Sequence, residues 1–136
     1  MHALTDEVEI SRAYQLALLL TRSAEGAMCA VEQAIEHGSH EDLLRSTVAV
    51  AANWVGPVDP VCKELPHVIR RVMSLPRMQR HCYVLRILEG MSAGECASLL
   101  NLEPHDVNSI AGTAAVALAE PAKGRDLKVR HIKSVA

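Results

Sequence analysis

The chain alternates long stretches of apolar residues at three- and four-residue spacing with short polar breaks, and that period is the signature of amphipathic helices. In the first stretch Ile10, Ala13, Tyr14, Ala17 and Leu20 share a face, which Leu16, Leu18 and Leu19 widen almost all the way round. A helix is predicted over about 6–22, with Thr5 as its N-cap and acidic residues in its first turn. Ser23 is placed to cap a second helix over about 24–37, striped by Ala27, Val31, Ala34 and Ile35 and ended by Gly38. Ser39 and Asp42 resemble a capping box for a third, which runs to about Trp54 with Leu43, Leu44, Thr47, Val48 and Ala51 inward.

The clearest break is GPVDP, residues 56–60, where two prolines, a glycine and an aspartate stop any helix. Beyond it Pro66 is expected to open a short helix to about Ser74, and Pro76 a longer one to Glu89, closed by Gly90, with Val84, Leu85 and Leu88 inward. Ser92 with Glu95 reads as a capping box for a helix ending near Leu100, and after the turn NLE, Pro104 starts a last helix to about 119. The expected fold is all-α, in two small helical lobes: a three-helix lobe over 1–55, a linker over 56–65, a second lobe over 66–120 and a basic tail over 121–136. No strand pattern, internal repeat or low-complexity segment is read.

Composition sharpens this picture. Phe is absent and the aromatics are Tyr14, Trp54 and Tyr83, so the core must be aliphatic. Residues 1–65 carry ten acids and four bases, net −6, and residues 66–136 carry six acids and ten bases, net +4, which suggests different partners for the two ends. Cys29, Cys62, Cys82 and Cys96 form no CxxC pair or zinc spacing, so no metal or cofactor is expected, and the thiols are read as buried and reduced in a cytoplasmic protein. His81 and Cys82 are adjacent, but helix neighbours point about 100° apart, so a thiol dyad is not expected. The opening residues are acidic and polar rather than a signal peptide, and LALLL is far too short for a membrane span. No carboxylate pair or phosphate loop suggests an enzyme.

Residues 92–118 form a short helix, a tight turn and a second helix, the plan of a helix-turn-helix, with Ala97 and Leu100 set against Val107 and Ile110, and Leu102 at the corner. The run MSLPRMQRHCYVLRILEGMSAGECASLLNLEPHDVNSIAGTAAVAL resembles the promoter-binding C-terminal region of bacterial RNA polymerase sigma factors, of the small extracytoplasmic-function type. The likeness runs in register through Leu75, Pro76, Gln79, Arg80, Val84, Leu85, Glu89 to Ser92, Glu95, Ala97, Leu100 to Leu102 and Val107. More weakly, RAYQLALLLTRSAEGAMCAVEQAIEHG is similar to that family's polymerase-binding helices.

The resemblance implies a sigma-like regulator that docks on RNA polymerase core through Met28, Glu32 and Gln33, and that contacts promoter DNA through its last helix. It also implies an anti-sigma protein as a possible partner. The departures define the alternative. Where the family carries Lys or Arg, this chain has Asn108, Ser109, Ile110, Ala111, Gly112, Thr113, Ala114 and Ala115, and Trp54 is the lone aromatic candidate for base stacking in the first lobe. The remaining DNA-contact candidates are His105, Asn108, Ser109 and Thr113 on the helix, and Lys123, Arg125, Lys128 and Arg130 on the tail. The alternative is an adaptor that has lost DNA binding and acts by contacts with polymerase, an anti-sigma protein or itself. Arg70, Arg71, Arg77, Arg80 and Arg86 are either a phosphate- or polymerase-facing patch or an ordinary solvated face.

Overall fold

The computed structural model describes residues 2–37 and 42–120, among which there are helices and no strand. The first three helices are α1 (His2–Thr21), α2 (Ala24–His37) and α3 (Leu43–Ala52). Helix α1 starts earlier than expected, with Thr5 and Asp6 inside it, because neither Pro nor Gly stands at residues 2–6 to break it. It ends where Arg22 takes the left-handed conformation, φ 58°, and its N–H bonds the Leu18 carbonyl at 2.8 Å. Ser23 then caps α2 as expected, its Oγ accepting the Gly26 N–H at 3.0 Å. Asp42 gives α3 no side-chain cap, and Gly38 and Ser39 lie outside the described residues.

Helix α3 stops at Ala52, two residues short of the expected end, so that Trp54 can fold back over the start of α2. Its indole lies so close to Gly26 and Gly56 that a Cβ would stand 2.8 Å and 2.2 Å from ring atoms, respectively. Both positions therefore need glycine for close approach. The non-helical stretch that follows is tied to the α1–α2 turn by Asp59. The Asp59 N–H donates to the Arg22 carbonyl at 2.7 Å, and its carboxylate accepts the Ala24 N–H at 2.9 Å. A residue of the GPVDP break thus supplies a second cap to α2.

The second half contains α4 (His67–Met73), α5 (Arg77–Cys82), α6 (Ala93–Leu100) and α7 (Pro104–Ala119). Helix α5 runs directly into a π-helical stretch, Tyr83–Leu88, whose Glu89 N–H reaches back five residues to the Val84 carbonyl at 2.9 Å. Val84 and Leu85 stay buried, but the wider turn swings Leu88 outward, and it is 49% exposed rather than inward. Gly90, φ 73°, closes the stretch. The Ser92–Glu95 capping box is formed in both directions, at 3.1 and 3.3 Å. Asn101 is left-handed, φ 60°, and the Leu102 N–H bonds the Ala97 carbonyl at 2.9 Å, closing α6 before Pro104 opens α7. Ala97 and Val107 are buried at this corner, with Leu100, Leu102 and Ile110 packed round them.

One buried aliphatic cluster joins the two halves. Leu16, Leu20 and Val48 from the first half meet Val72, Leu85 and Val107 from the second. Ala13, Val31, Ala34 and Leu43 form a second, smaller buried cluster within the first half, and Ile10 and Ile35 of the predicted stripes belong to neither. Ile10 is 37% exposed midway along α1, and Ile35 is 42% exposed, because it lies about 100° round the helix from the buried Ala34.

Candidate interaction surfaces

The arginines of the second half are largely spent on helix ends. A helix leaves its last carbonyls unpaired and carries partial negative charge there, so a guanidinium is a natural cap. Arg80 caps α1, with Nε 2.8 Å from the Leu19 carbonyl and Nη2 3.2 Å from that of Leu20, while Nη1 bonds the Leu75 carbonyl at 3.0 Å. Arg77 caps α3 through the carbonyls of Ala52 at 2.7 Å and Trp54 at 3.0 Å. Arg71 caps α7 through those of Ala117 at 2.7 Å and Leu118 at 3.0 Å. Arg86 donates to Asn108 Oδ1 at 3.1 Å and to the Met91 carbonyl at 3.2 Å. The five arginines thus form neither a free basic patch nor a plain solvated face. Arg70 alone of the five lacks a side-chain partner among the described residues.

Arg80 and His81 are both buried at the junction of the halves. Burial, with Arg22 and Arg77 nearby, draws the Arg80 guanidinium down to about 10, so it keeps its charge near neutral pH. His81 Nε2 lies 2.8 Å from the Leu20 carbonyl, and because a carbonyl only accepts, Nε2 carries the proton. Its Nδ1 is buried without a partner, and burial takes the imidazole down to about 4, so the ring is neutral at pH 7. Two ion pairs bridge the halves at the surface, Arg45 with Glu95 and Arg12 with Glu89 at 3.2 Å. The hydrogen bond from Arg45 holds the Glu95 carboxylate below its usual range. Glu95 therefore caps α6 and ties it to α3 at once.

The outward side of α7 presents His105, Asn108, Ser109 and Thr113, all exposed as a DNA-facing set would require. Their chemistry is muted. The Asn108 carbonyl oxygen is engaged by Arg86, Thr113 Oγ1 donates to the Ser109 carbonyl at 3.1 Å, and His105 Nε2 lies 3.2 Å from Asp106. Gly112 has open space around it. No Lys or Arg stands on α7. Residues 66–120 carry five bases and five acids, so the positive excess of the second half belongs to residues 121–136, with five bases and one acid. Lys123, Arg125, Lys128 and Arg130 lie there, outside the described residues.

On the opposite half, Met28 is 49% exposed on α2, beside exposed Glu25, Glu32, Gln33, Ile35 and Glu36. Gln33 Nε2 approaches Cys29 Sγ at 3.2 Å. This face is acidic and apolar in alternation. Trp54, the candidate for base stacking, is half-buried against glycine backbone instead.

Cys82 and Cys96 are buried; burial pushes the Cys82 thiol up to about 11 and raises Cys96 as well. Cys29 is only half-buried, although its helical stripe suggested a core position, and Cys62, in the non-helical stretch, is exposed rather than buried. Among the described residues no three His, Cys, Asp or Glu side chains group to hold a metal, and no helix is long and apolar enough to cross a membrane. Two clefts of about 390 and 280 Å³ flank Arg71 where α4 meets the end of α7.

The inter-half clamp escaped sequence reasoning because its acceptors are backbone carbonyls, which any residue type supplies. Comparison of the chain with family models, with curated proteins and with solved structures finds no match.

Proposed function

We propose that this chain is a diverged sigma-like adaptor that works through protein contacts rather than by gripping DNA. The observation that carries this reading is that α7 bears no Lys or Arg, while four of the five arginines of the same lobe are engaged by carbonyls or by Asn108. Phosphate neutralisation by cations supplies nearly all non-specific DNA affinity and much of the specific part, and this face offers none. The α2 surface around Met28, Glu32 and Gln33 is the docking candidate, and RNA polymerase core is the partner that the sigma-like sequence pattern implies.

Promoter contact is the second reading. His105, Asn108, Ser109 and Thr113 are exposed together on α7, and a neutral amide or hydroxyl can bond a base edge.

Purified bacterial polymerase core and the labelled chain test the first reading. Direct binding that Met28→Lys with Glu32→Lys weakens at least about tenfold, roughly 1.4 kcal/mol, supports it. No binding to the core, or binding indifferent to both substitutions, removes polymerase docking through α2.

A further inference from the structure

The two clefts at the α4–α7 seam share Arg71 as their common wall. The larger is lined by His67, Arg70, Ser74 and Gln79, and the smaller by Val68, Tyr83, Ala115 and Leu118. Arg71 is immobilised by its two carbonyls on α7. Arg70 is not, and its Nε is shielded from solvent with no acceptor in reach. No carboxylate lines either cleft. The seam therefore combines a guanidinium that no protein group among the described residues engages with an adjoining aliphatic recess, whose rim residue Val68 is 66% exposed.

We propose that the seam binds a short peptide segment of a partner protein, in which an Asp or Glu lies next to an aliphatic side chain. The carboxylate pairs with Arg70, whose planar fork suits it, and the aliphatic group fills the recess bounded by Tyr83 and Leu118. A nucleic acid fits this chemistry poorly. It needs several free cations along a backbone, whereas Arg71 is already engaged and Arg70 is the one uncommitted guanidinium in the lining. The proposal rests on the adaptor reading only in requiring a protein partner, and the site lies on α4 and α7 rather than on α2, so the two stand or fall in separate experiments.

The test is a titration of the isotope-labelled full chain, followed by amide NMR, with a capped hexapeptide holding two leucines flanked by aspartates. A matched peptide has asparagines in place of the aspartates. Expected are shifts grouped over residues 67–79 and 115–119, with affinity at least about tenfold weaker for the asparagine peptide and for Arg70→Gln. Val68→Glu, at an exposed position that does not threaten folding, abolishes binding. Four outcomes overturn the proposal: no shifts by about 5 mM peptide, equal binding of the asparagine peptide, the same shifts from inorganic phosphate alone, or displacement of the peptide by duplex DNA. Displacement by DNA would also count against the adaptor reading; the other three leave that reading intact.

Discussion

Arg80 Nε lies 2.8 Å from the Leu19 carbonyl, so a residue in the last turn of α5 closes the end of α1 across 61 positions of sequence. The same guanidinium holds the Leu20 and Leu75 carbonyls, and His81 beside it reaches Leu20 as well. The halves of the chain meet through this clamp. It also explains why Arg80, a cation that looks available in the sequence, is not available to a partner.

Removing Arg80 leaves several carbonyls unpaired in a buried place. Arg80→Met is expected to destabilise the protein by about 3 kcal/mol, since breaking a buried charged network costs a few kcal/mol. Arg77→Met, at a more exposed helix end, is expected to cost about 1 kcal/mol. Urea unfolding of the two variants against the parent checks the ranking, and equal small losses would show that the clamp contributes little.

His81 makes stability depend on pH. The ring titrates near 6.5 in the unfolded chain and near 4 in the fold, so protonation favours unfolding. The contribution is complete above pH 6.5 and is lost as pH falls through about 4, with a full amplitude of about 3 kcal/mol. Unfolding midpoints measured between pH 7 and about 5, above the ordinary carboxylate midpoints, should fall steadily in the parent. They should fall much less in His81→Gln, at whatever absolute stability that variant has.

Gly26 and Gly112 are both helical glycines with opposite expected responses to alanine. A Cβ on Gly26 meets the Trp54 ring at 2.8 Å, so Gly26→Ala is expected to cost about 1–3 kcal/mol and to move the fluorescence of Trp54, the single tryptophan. A Cβ on Gly112 meets nothing, so Gly112→Ala is expected to add about 0.5–1 kcal/mol. Thermal unfolding and emission spectra of the pair decide both.

The thiols should separate by burial. With Ellman's reagent at pH 8 the native protein is expected to lose Cys62 quickly, and Cys82 and Cys96 only on unfolding. Fast reaction of Cys82 or Cys96 in the folded protein would contradict the packing described here.

Much of the local architecture was legible because it is written in short-range chemistry. Ser23, Ser92 with Glu95, Gly90 and Pro104 each act within a few residues of themselves, so their types reveal their roles. The π-helical stretch was not legible, since YVLRIL has the same residue preferences as an α-helix, and the misplacement of Leu88 follows from that. The surfaces were half legible. The lack of charge from Asn108 to Ala115 is plain in the sequence, and Met28, Glu32 and Gln33 are exposed. The fate of Arg71, Arg77 and Arg80 was hidden, because an arginine at a solvated helical position and one that caps a distant helix read identically.

The most direct test of the central claim is the salt dependence of DNA binding by the full chain, compared with Asn108→Ala/Thr113→Ala. If α7 does not read DNA, binding to duplex DNA stays in or above the non-specific range of about 10⁻⁶ to 10⁻⁴ M. Its slope against salt, set by the tail alone, is then the same for both proteins. Binding to a particular duplex at nanomolar strength that the double substitution weakens by about tenfold or more would contradict the account.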